Sequence, residues 1–350
     1  MSVFHENMLI GASGQVAAGG ISRSIRLNAP DSAYLSRTPA SAGNRKTWTW
    51  AGWVKKIKNN SADEQTLLGG LSTANNNPRT TFYFDVTTDA LVFDSYNTSF
   101  DIQLKTTAVF RDPSAWMHVV LAVDTTQATA ANRVKIYING IQLDTFSTST
   151  YPSQNFDTHI NAAAAQFVGS FRSNTGFFNG YLADIYFIDG QALDPTSFTE
   201  TDATTGQLVP KAYTGSYGTN GFHLEFADNS SNTATTLGKD TSGNGNNWTP
   251  TNLSVTAGAG NDSLVDVPTS SGTDTGVGVR LGGTIAHGTR WTRDQASPWQ
   301  MGTLTQLLQQ QTTWCAALLP CRAQESGISS LFLVLFLERD LLLLASHLAL

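Results

Sequence analysis

The alternation of apolar and polar positions is sharpest between Trp116 and Phe146. The run W-M-H-V-V-L-A-V-D puts Met117, Val119, Leu121 and Val123 on one face and Trp116, Val120 and Ala122 on the other. A strand that is apolar on both faces lies between two packed layers. The next run, R-V-K-I-Y-I-N-G-I-Q-L, alternates strictly. Val134, Ile136 and Ile138 point one way, Lys135 and Tyr137 the other. Asn139-Gly140 supplies two residues that tolerate positive φ, so the pattern predicts a tight hairpin returning through Ile141, Gln142 and Leu143.

The same period continues in both directions. Ile21 to Thr38 predicts a first strand and its partner, with Ile25 and Leu27 alternating against Ser24 and Arg26 and a Pro30-Asp31 turn between them. Thr47 to Val54 predicts a strand with three tryptophans. Trp48, Trp50 and Trp53, with Trp116, are assigned to the core, and a bulge is expected at Gly52, where the alternation changes phase. A hairpin is expected around Thr88-Asp89, with Phe82, Phe84, Leu91 and Phe93 inward; further strands are expected at 102–110, 166–169 and 180–187. This spacing is that of an all-β domain. The expected organisation is a flexible arm over 1–20, a sandwich over 21–200, and a loop-rich extension or linker over 201–277 draped on the sandwich. Gly221 to Phe226 is the one strong strand signal in that extension.

Composition narrows the class. Only 14% of the 350 residues are charged and 30 are glycine, which suits a sandwich with polar loops. A net charge of −6 without a clustered basic stripe excludes a nucleic-acid surface. Lys55-Lys56-Ile57-Lys58 is short and reads as a solvated strand end. No signal peptide is expected at the start, and no disulfide in the main body, because Cys315 and Cys321 both lie near the end.

From Val279 the character changes: sixteen of the last 72 residues are leucine. Leu331 to Leu350 is interrupted by Glu338-Arg339-Asp340 and makes a poor membrane span, so no membrane insertion is expected. A bland alternative is an amphipathic or oligomerising helix. The preferred expectation is that 278–350 is translated out of frame. Joining the third base of each codon to the first two of the next, permitted codons across Gly278 to Asp294 spell G-E-V-R-G-N-Y-C-T-R-N-P-L-D-K-G. Some steps are forced: Trp291-Thr292 must give Asp, Trp299-Gln300 Ala, and Met301-Gly302 Gly. Around Cys321 to Leu331 the shifted text contains G-K-W-Y-F-E-F, which resembles the opening strand of a SPRY-like sandwich.

W-x-H-V-x-L-x-V-D followed by V-x-I-Y-I-N-G resembles the laminin-G-like, concanavalin A-like jelly roll, and Gly180 to Phe187 is similar to the closing strand of such domains. Asn7 to Gln15, Ser32 to Thr38, Trp48 to Val54 and D-T-S-G-N-G-N-N-W at Asp240 to Trp248 resemble bacteriophage virion proteins carrying that domain, over roughly residues 1–277. The resemblance implies an antiparallel β-sandwich located in the virion, tail- or capsid-associated. Its partners would be a host-surface glycan or other virion subunits, and it would be homo-oligomeric on the particle. A decoration or cement protein with only protein contacts is the alternative, and a concanavalin-type glycan hydrolase a second.

Glycan binding calls for an aromatic ring beside amides on a rim loop. Tyr96 with Asn97, Phe178 with Asn179 (after Phe177), and Trp248 beside Asn246-Asn247 fit that recipe. Asp240, Asn244 and Asn246 alternate as oxygen donors in a Gly-punctuated loop, as a calcium site requires, though Asx-rich turns use the same residues without metal. The E-x-D-x-x-E of concanavalin-type glucanases has only a broken match at Glu200-Thr201-Asp202, with Thr205 where the last Glu belongs. Glu225 and Asp228, three apart, would face opposite ways on a strand, and His118 reads as a packed strand residue. The expectation is therefore a protein that is not an enzyme.

Overall fold

The computed structural model describes residues 20–59, 63–71, 78–203 and 206–268. The proposed arm up to residue 19, the proposed out-of-frame tail and both cysteines lie outside the described residues. In chain order the strands are β1 (Ser24–Leu27), β2 (Tyr34–Arg37), β3 (Thr47–Lys56), β4 (Gln65–Leu71), β5 (Arg79–Phe84), β6 (Ala90–Tyr96), β7 (Phe100–Val109), β8 (Met117–Asp124) and β9 (Val134–Ile138). They continue with β10 (Ile141–Leu143), β11 (Phe146–Thr150), β12 (Gln166–Val168), β13 (Gly180–Asp189), β14 (Thr199–Thr201), β15 (Leu208–Pro210), β16 (Phe222–Leu224), β17 (Thr249–Thr251) and β18 (Ser263–Leu264).

Two antiparallel sheets carry most of these strands. The first runs β10-β9-β8-β3-β13-β1-β18, with β16 also paired to β13; the second runs β11-β7-β6-β5-β4-β12-β2-β17. They are called here sheets I and II. Their facing sides share one core. Sheet I contributes Trp48, Trp50, Val119, Leu121 and Ile136; sheet II contributes Phe82, Phe84, Phe93, Ile102 and Leu104. Burying each large apolar side chain contributes about 1.5–3 kcal/mol, so this shared layer is the main source of stability.

The pattern around Trp116 folds as its alternation predicts. Met117, Val119, Leu121 and Val123 enter the shared core, while Val120 packs on the opposite face with Ala51 and Tyr186. Asn139 and Gly140 take φ of 49° and 82°, and Ile138 pairs with Ile141 across the turn. The Asn139 side chain also accepts from the His118 N–H at 2.8 Å, which ties the turn to β8.

Long-range pairing departs from the local pattern in four places. β1 and β2 are not partners: β1 pairs with β13 in sheet I and β2 with β12 in sheet II, because the turn between them carries the chain from one layer to the other. The bulge expected at Gly52 sits on the neighbouring strand. Asp184 and Ile185 of β13 together oppose Gly52, with Asp184 at φ 54°, and a Cβ on Gly52 would collide with the Ile185 side chain. Lys55 and Lys56 are buried rather than solvated. Lys56 pairs with Asp89, and Lys55 with Asp266 at 2.8 Å, since a paired ammonium tolerates burial that a lone one does not. The segment after residue 201 does more than drape: β16, β17 and β18 pair directly into the two sheets.

Candidate functional site

The β5–β6 hairpin sets the register Arg79↔Tyr96, Thr81↔Asp94 and Phe82↔Phe93. Phe82, Phe84 and Phe93 point into the core, so by the two-residue period Arg79, Thr81, Tyr83, Asp94 and Tyr96 point outward. Phe100, at the start of β7, stands edge-on to the Tyr96 ring at 5.1 Å and is 41% exposed. The Arg79 guanidinium lies 4.7 Å from the centre of the Tyr96 ring and 5.0 Å from that of Phe171. Arg172 lies 4.7 Å from the Phe171 ring. Rings and guanidinium groups thus run Phe100, Tyr96, Arg79, Phe171, Arg172 along the outer side of sheet II, with Phe171 itself buried between the two guanidinium groups.

Phe171 and Arg172 reach this face because the loop after β12 is pinned there. Phe171 packs on Leu71 and Phe167, and Arg172 bridges to Thr175 across a two-residue turn. Gly69 lets the loop lie on the β4 backbone: a Cβ there would sit 2.8 Å from the carbonyl oxygens of Ser170 and Phe171. The Asp63 carboxylate accepts from the Thr175 hydroxyl at 2.6 Å and the Gly176 N–H at 2.8 Å. Burial opposes the charge on Asp63, but these hydrogen bonds, one from the Glu64 N–H and the charge of Arg172 hold its pKa below the usual carboxylate range.

A group of carboxylates lies beside Arg79. Asp94 is 1% exposed and accepts from the Thr81 and Tyr83 hydroxyls; burial pushes its pKa up. Glu64 is pushed up to about 7, first by burial and then by the Asp94 charge, with Arg79 pulling the other way. The hydroxyl bonds occupy Asp94 and it is sealed from solvent, so it is a poor nucleophile.

Of the expected binding residues, Tyr96 and the exposed Asn97 do lie at this edge, where the Asn97 N–H closes the β6–β7 turn on the Ser99 carbonyl at 3.0 Å. Phe178 and Trp248 are corrections. Phe178 is fully buried in the shared core near Phe84, and Trp248 is 2% exposed with its ring edge-to-face on Phe222 at 4.9 Å. Neither ring has a free face for a sugar. Asn179 is half-buried, its backbone carbonyl accepts from the Ile57 N–H at 3.2 Å, and its side-chain oxygen is buried without a hydrogen-bond partner.

Asp240, Asn244 and Asn246 are brought together, and both Asp240 oxygens, both side-chain amide nitrogens and the Asn246 oxygen are hydrogen-bonded within the chain. Asp240 Oδ1 accepts from the N–H groups of His223 and Ser242, and Oδ2 from the Asn246 N–H and the Ser242 hydroxyl, all at 2.8–2.9 Å. The side-chain amides of Asn244 and Asn246 both donate to the Gly221 carbonyl, and Asn246 Oδ1 accepts from Arg37. The loop works here as a polar staple across β16. Among the described residues no three His, Cys, Asp or Glu side chains are grouped to hold a metal ion.

The carboxylates first considered for catalysis are dispersed. Glu200 is exposed on β14, in the separate β14–β15 pair; Glu225 lies 3.6 Å from His223 Nδ1; Asp228 accepts from Ser230 in an exposed turn. His118 is buried against Trp53, and burial lowers its pKa to about 3. Sequence reasoning missed Arg79, Phe100, Phe171, Arg172 and the Asp63–Glu64–Asp94 group. The available signal was the aromatic–arginine pair at Phe171-Arg172 flanking a polar turn, and the outward positions of R-T-T-F-Y-F.

No curated protein matches the chain. Solved structures that resemble it include a heptameric SAP-like pentraxin from Limulus polyphemus, at TM-score 0.36 and 15% identity over 49% of this chain and 78% of that one. Domain 4 of the extracellular arabinanase AbnA from Geobacillus stearothermophilus, in complex with arabinotriose, matches at TM-score 0.31 and 19% identity, over 44% and 65% of the two chains. The CBM40 of a Ruminococcus gnavus IT-sialidase, bound to α2,3-sialyllactose, matches at TM-score 0.30 and 18% identity, over 42% and 85%. Residues 30–197, just under half of the chain, match the Laminin_G_3 family model, described as the concanavalin A-like lectin/glucanases superfamily, and with its facing antiparallel sheets this segment is a concanavalin A-like domain.

Proposed function

We propose that the chain is a non-enzymatic glycan-binding protein whose contact surface is the outer side of sheet II. The observation that carries this reading is the exposed Phe100 ring standing edge-on to Tyr96 at 5.1 Å, with the Arg79 guanidinium 4.7 Å from the Tyr96 ring. Ring faces and edges offer area to the apolar face of a sugar, and guanidinium and amide N–H groups direct its hydroxyls. The rigid sheet beneath holds the geometry before the ligand arrives.

The wider setting rests on the sequence resemblances. The protein belongs on a phage particle, at tail or capsid, where repeated copies turn weak single contacts into avid attachment to a host-surface glycan. The out-of-frame reading of the segment from 278 onward is part of the same proposal, and the gene's nucleotides test it: codons incompatible with the shifted text reject it. A cement protein would use the same surface against virion subunits. Hydrolysis is the weaker reading. Although Glu64 has the pKa of a general acid, the neighbouring Asp94 is enclosed and occupied. A glycan array probed with the full chain and with a Y96A/F100A double variant tests the proposal. Binding by the parent that falls at least about tenfold in the variant supports it. An array silent toward the parent rejects glycan binding and leaves the cement reading.

A further inference from the structure

At one end of the sandwich a sealed ion pair links the two sheets. Lys56 is the last residue of β3 in sheet I, and Asp89 lies in the turn between β5 and β6 of sheet II. The Lys56 amine contacts Asp89 Oδ1, and the two side chains are 1% and 0% exposed. The amine is caged by rings: its Nζ lies 5.1 Å from the centre of Phe84, which packs on Phe110 and Phe178 at 6.0 and 6.4 Å. The turn fixes the backbone beneath the carboxylate. Asp89 takes φ 60°, its N–H donates to the Asp85 carbonyl at 3.1 Å, and its own carbonyl accepts from the Phe110 N–H at 3.0 Å. Its second oxygen, Oδ2, lies 3.4 Å from Arg111 Nε. The chain's two cysteines are Cys315 and Cys321, so no disulfide joins the layers of the sandwich.

Two ions out of water carry a desolvation cost that their attraction only partly offsets. Burial pulls the Lys56 ammonium below its ordinary pKa; Asp89 opposes this, and the Arg111 charge adds to it. A desolvated lysine amine is a nucleophile, and the nearest electrophilic carbon is the Asp89 carboxyl that it already touches. We infer that Lys56 and Asp89 condense into an amide, a covalent staple between sheet I and sheet II. The step needs no other reactant. One ammonium proton passes to Asp89 Oδ1, and the neutral amine attacks Cγ. The Arg111 Nε–H faces the charge that develops on Oδ2. A second Nζ proton then moves to Oδ1, the Cγ–Oδ1 bond breaks and water leaves. The product keeps one N–H and carries no charge, so the desolvation cost of both ions disappears. Lys55 and Asp266 are the internal comparison. They pair at 2.8 Å, but their side chains are 11% and 12% exposed and Asp266 also accepts from Trp116 Nε1 at 3.0 Å, so that pair stays ionic.

The test is the mass of the denatured full chain, followed by tryptic mapping. The parent should be lighter than its sequence by one water. Trypsin should fail to cut after Lys56, and one branched peptide should hold both Lys56 and Asp89. K56R and D89A should each recover the full mass, a readout that stands even where a variant does not fold. A parent at full mass whose Lys56 is cut by trypsin overturns the inference. So does a lost water that maps to a succinimide at Asp189-Gly190 or to the Lys55–Asp266 pair, or a loss that survives K56R.

Discussion

The two outer sides of the sandwich start from the same kind of strand and end differently. On sheet I the chain covers its own surface. The segment after β13 lays Phe198, Leu193, Tyr213 and Tyr217 over Ala51, Val120, Tyr186 and Ile188, and His118 is sealed beneath with Phe198. On sheet II the loop after β12 lies on β4 and brings an arginine with it, and the outward Thr81, Tyr83 and Asp94 are buried too, while Phe100 beyond them stays exposed. Sheet I therefore uses its outer aromatics for stability, whereas sheet II leaves the Phe100 ring exposed and Tyr96, Arg79 and Arg172 half-exposed. The lesson is that an aromatic residue becomes a binding residue through what the distant chain does to it, not through its own neighbours in sequence.

The largest effect that would sharpen this contrast is on sheet I. Phe198 is fully buried, so F198A should cost about 3–5 kcal/mol in chemical denaturation. Y96A/F100A on sheet II should cost far less stability and show its effect in glycan affinity. A sheet II variant as destabilising as F198A would erase the distinction. Next in size is the loop pin: D63N removes a charged acceptor from Thr175 and Gly176 and should cost about 1–2 kcal/mol while also weakening binding.

The two sides also differ in how pH acts on them. Glu64 has a folded pKa of about 7, above its unfolded value near 4.5, so the folded state holds the extra proton; stability falls as pH rises from 4.5 to 7, and E64Q should flatten that slope. His118 has a folded pKa of about 3, below its unfolded 6.5, so the unfolded state holds the extra proton; stability is lost as pH falls below 6.5, and H118Q should remove that loss. Melting temperatures of the two variants across pH 4–8 separate the contributions, and slopes of the opposite sign would contradict them. The smallest expected effect belongs to the Asp240 loop. With Asp240 already accepting four hydrogen bonds, chelator or added calcium should leave the melting temperature unchanged. A calcium-dependent rise would mean that the loop rearranges into a cation site.

Much of the fold was legible in the chain because its evidence is local. Val134–Ile138 alternates, Asn139-Gly140 supplies the turn, and the inward positions of β5 and β6 follow from a two-residue period. What failed was non-local. Nothing near Trp248 announces that Phe222 will seal its ring, or that β16, more than twenty residues earlier, will pair with β13. Lys56 looks like a surface residue until Asp89 arrives from the β5–β6 turn. The proposed binding surface was half legible for the same reason. Tyr96-Asn97 carries its own hairpin signal, but Arg79 and Phe171 become neighbours only when the loop after β12 folds onto β4.

The most direct measurement is amide hydrogen exchange of the full chain with and without the strongest glycan from the array. Added protection should fall on the β6–β7 turn from Tyr96 to Phe100 and on the Ser170–Gly176 loop, with no change at 240–248. Protection confined to 240–248, or spread over the covered side of sheet I, would contradict the assignment of binding to the outer side of sheet II.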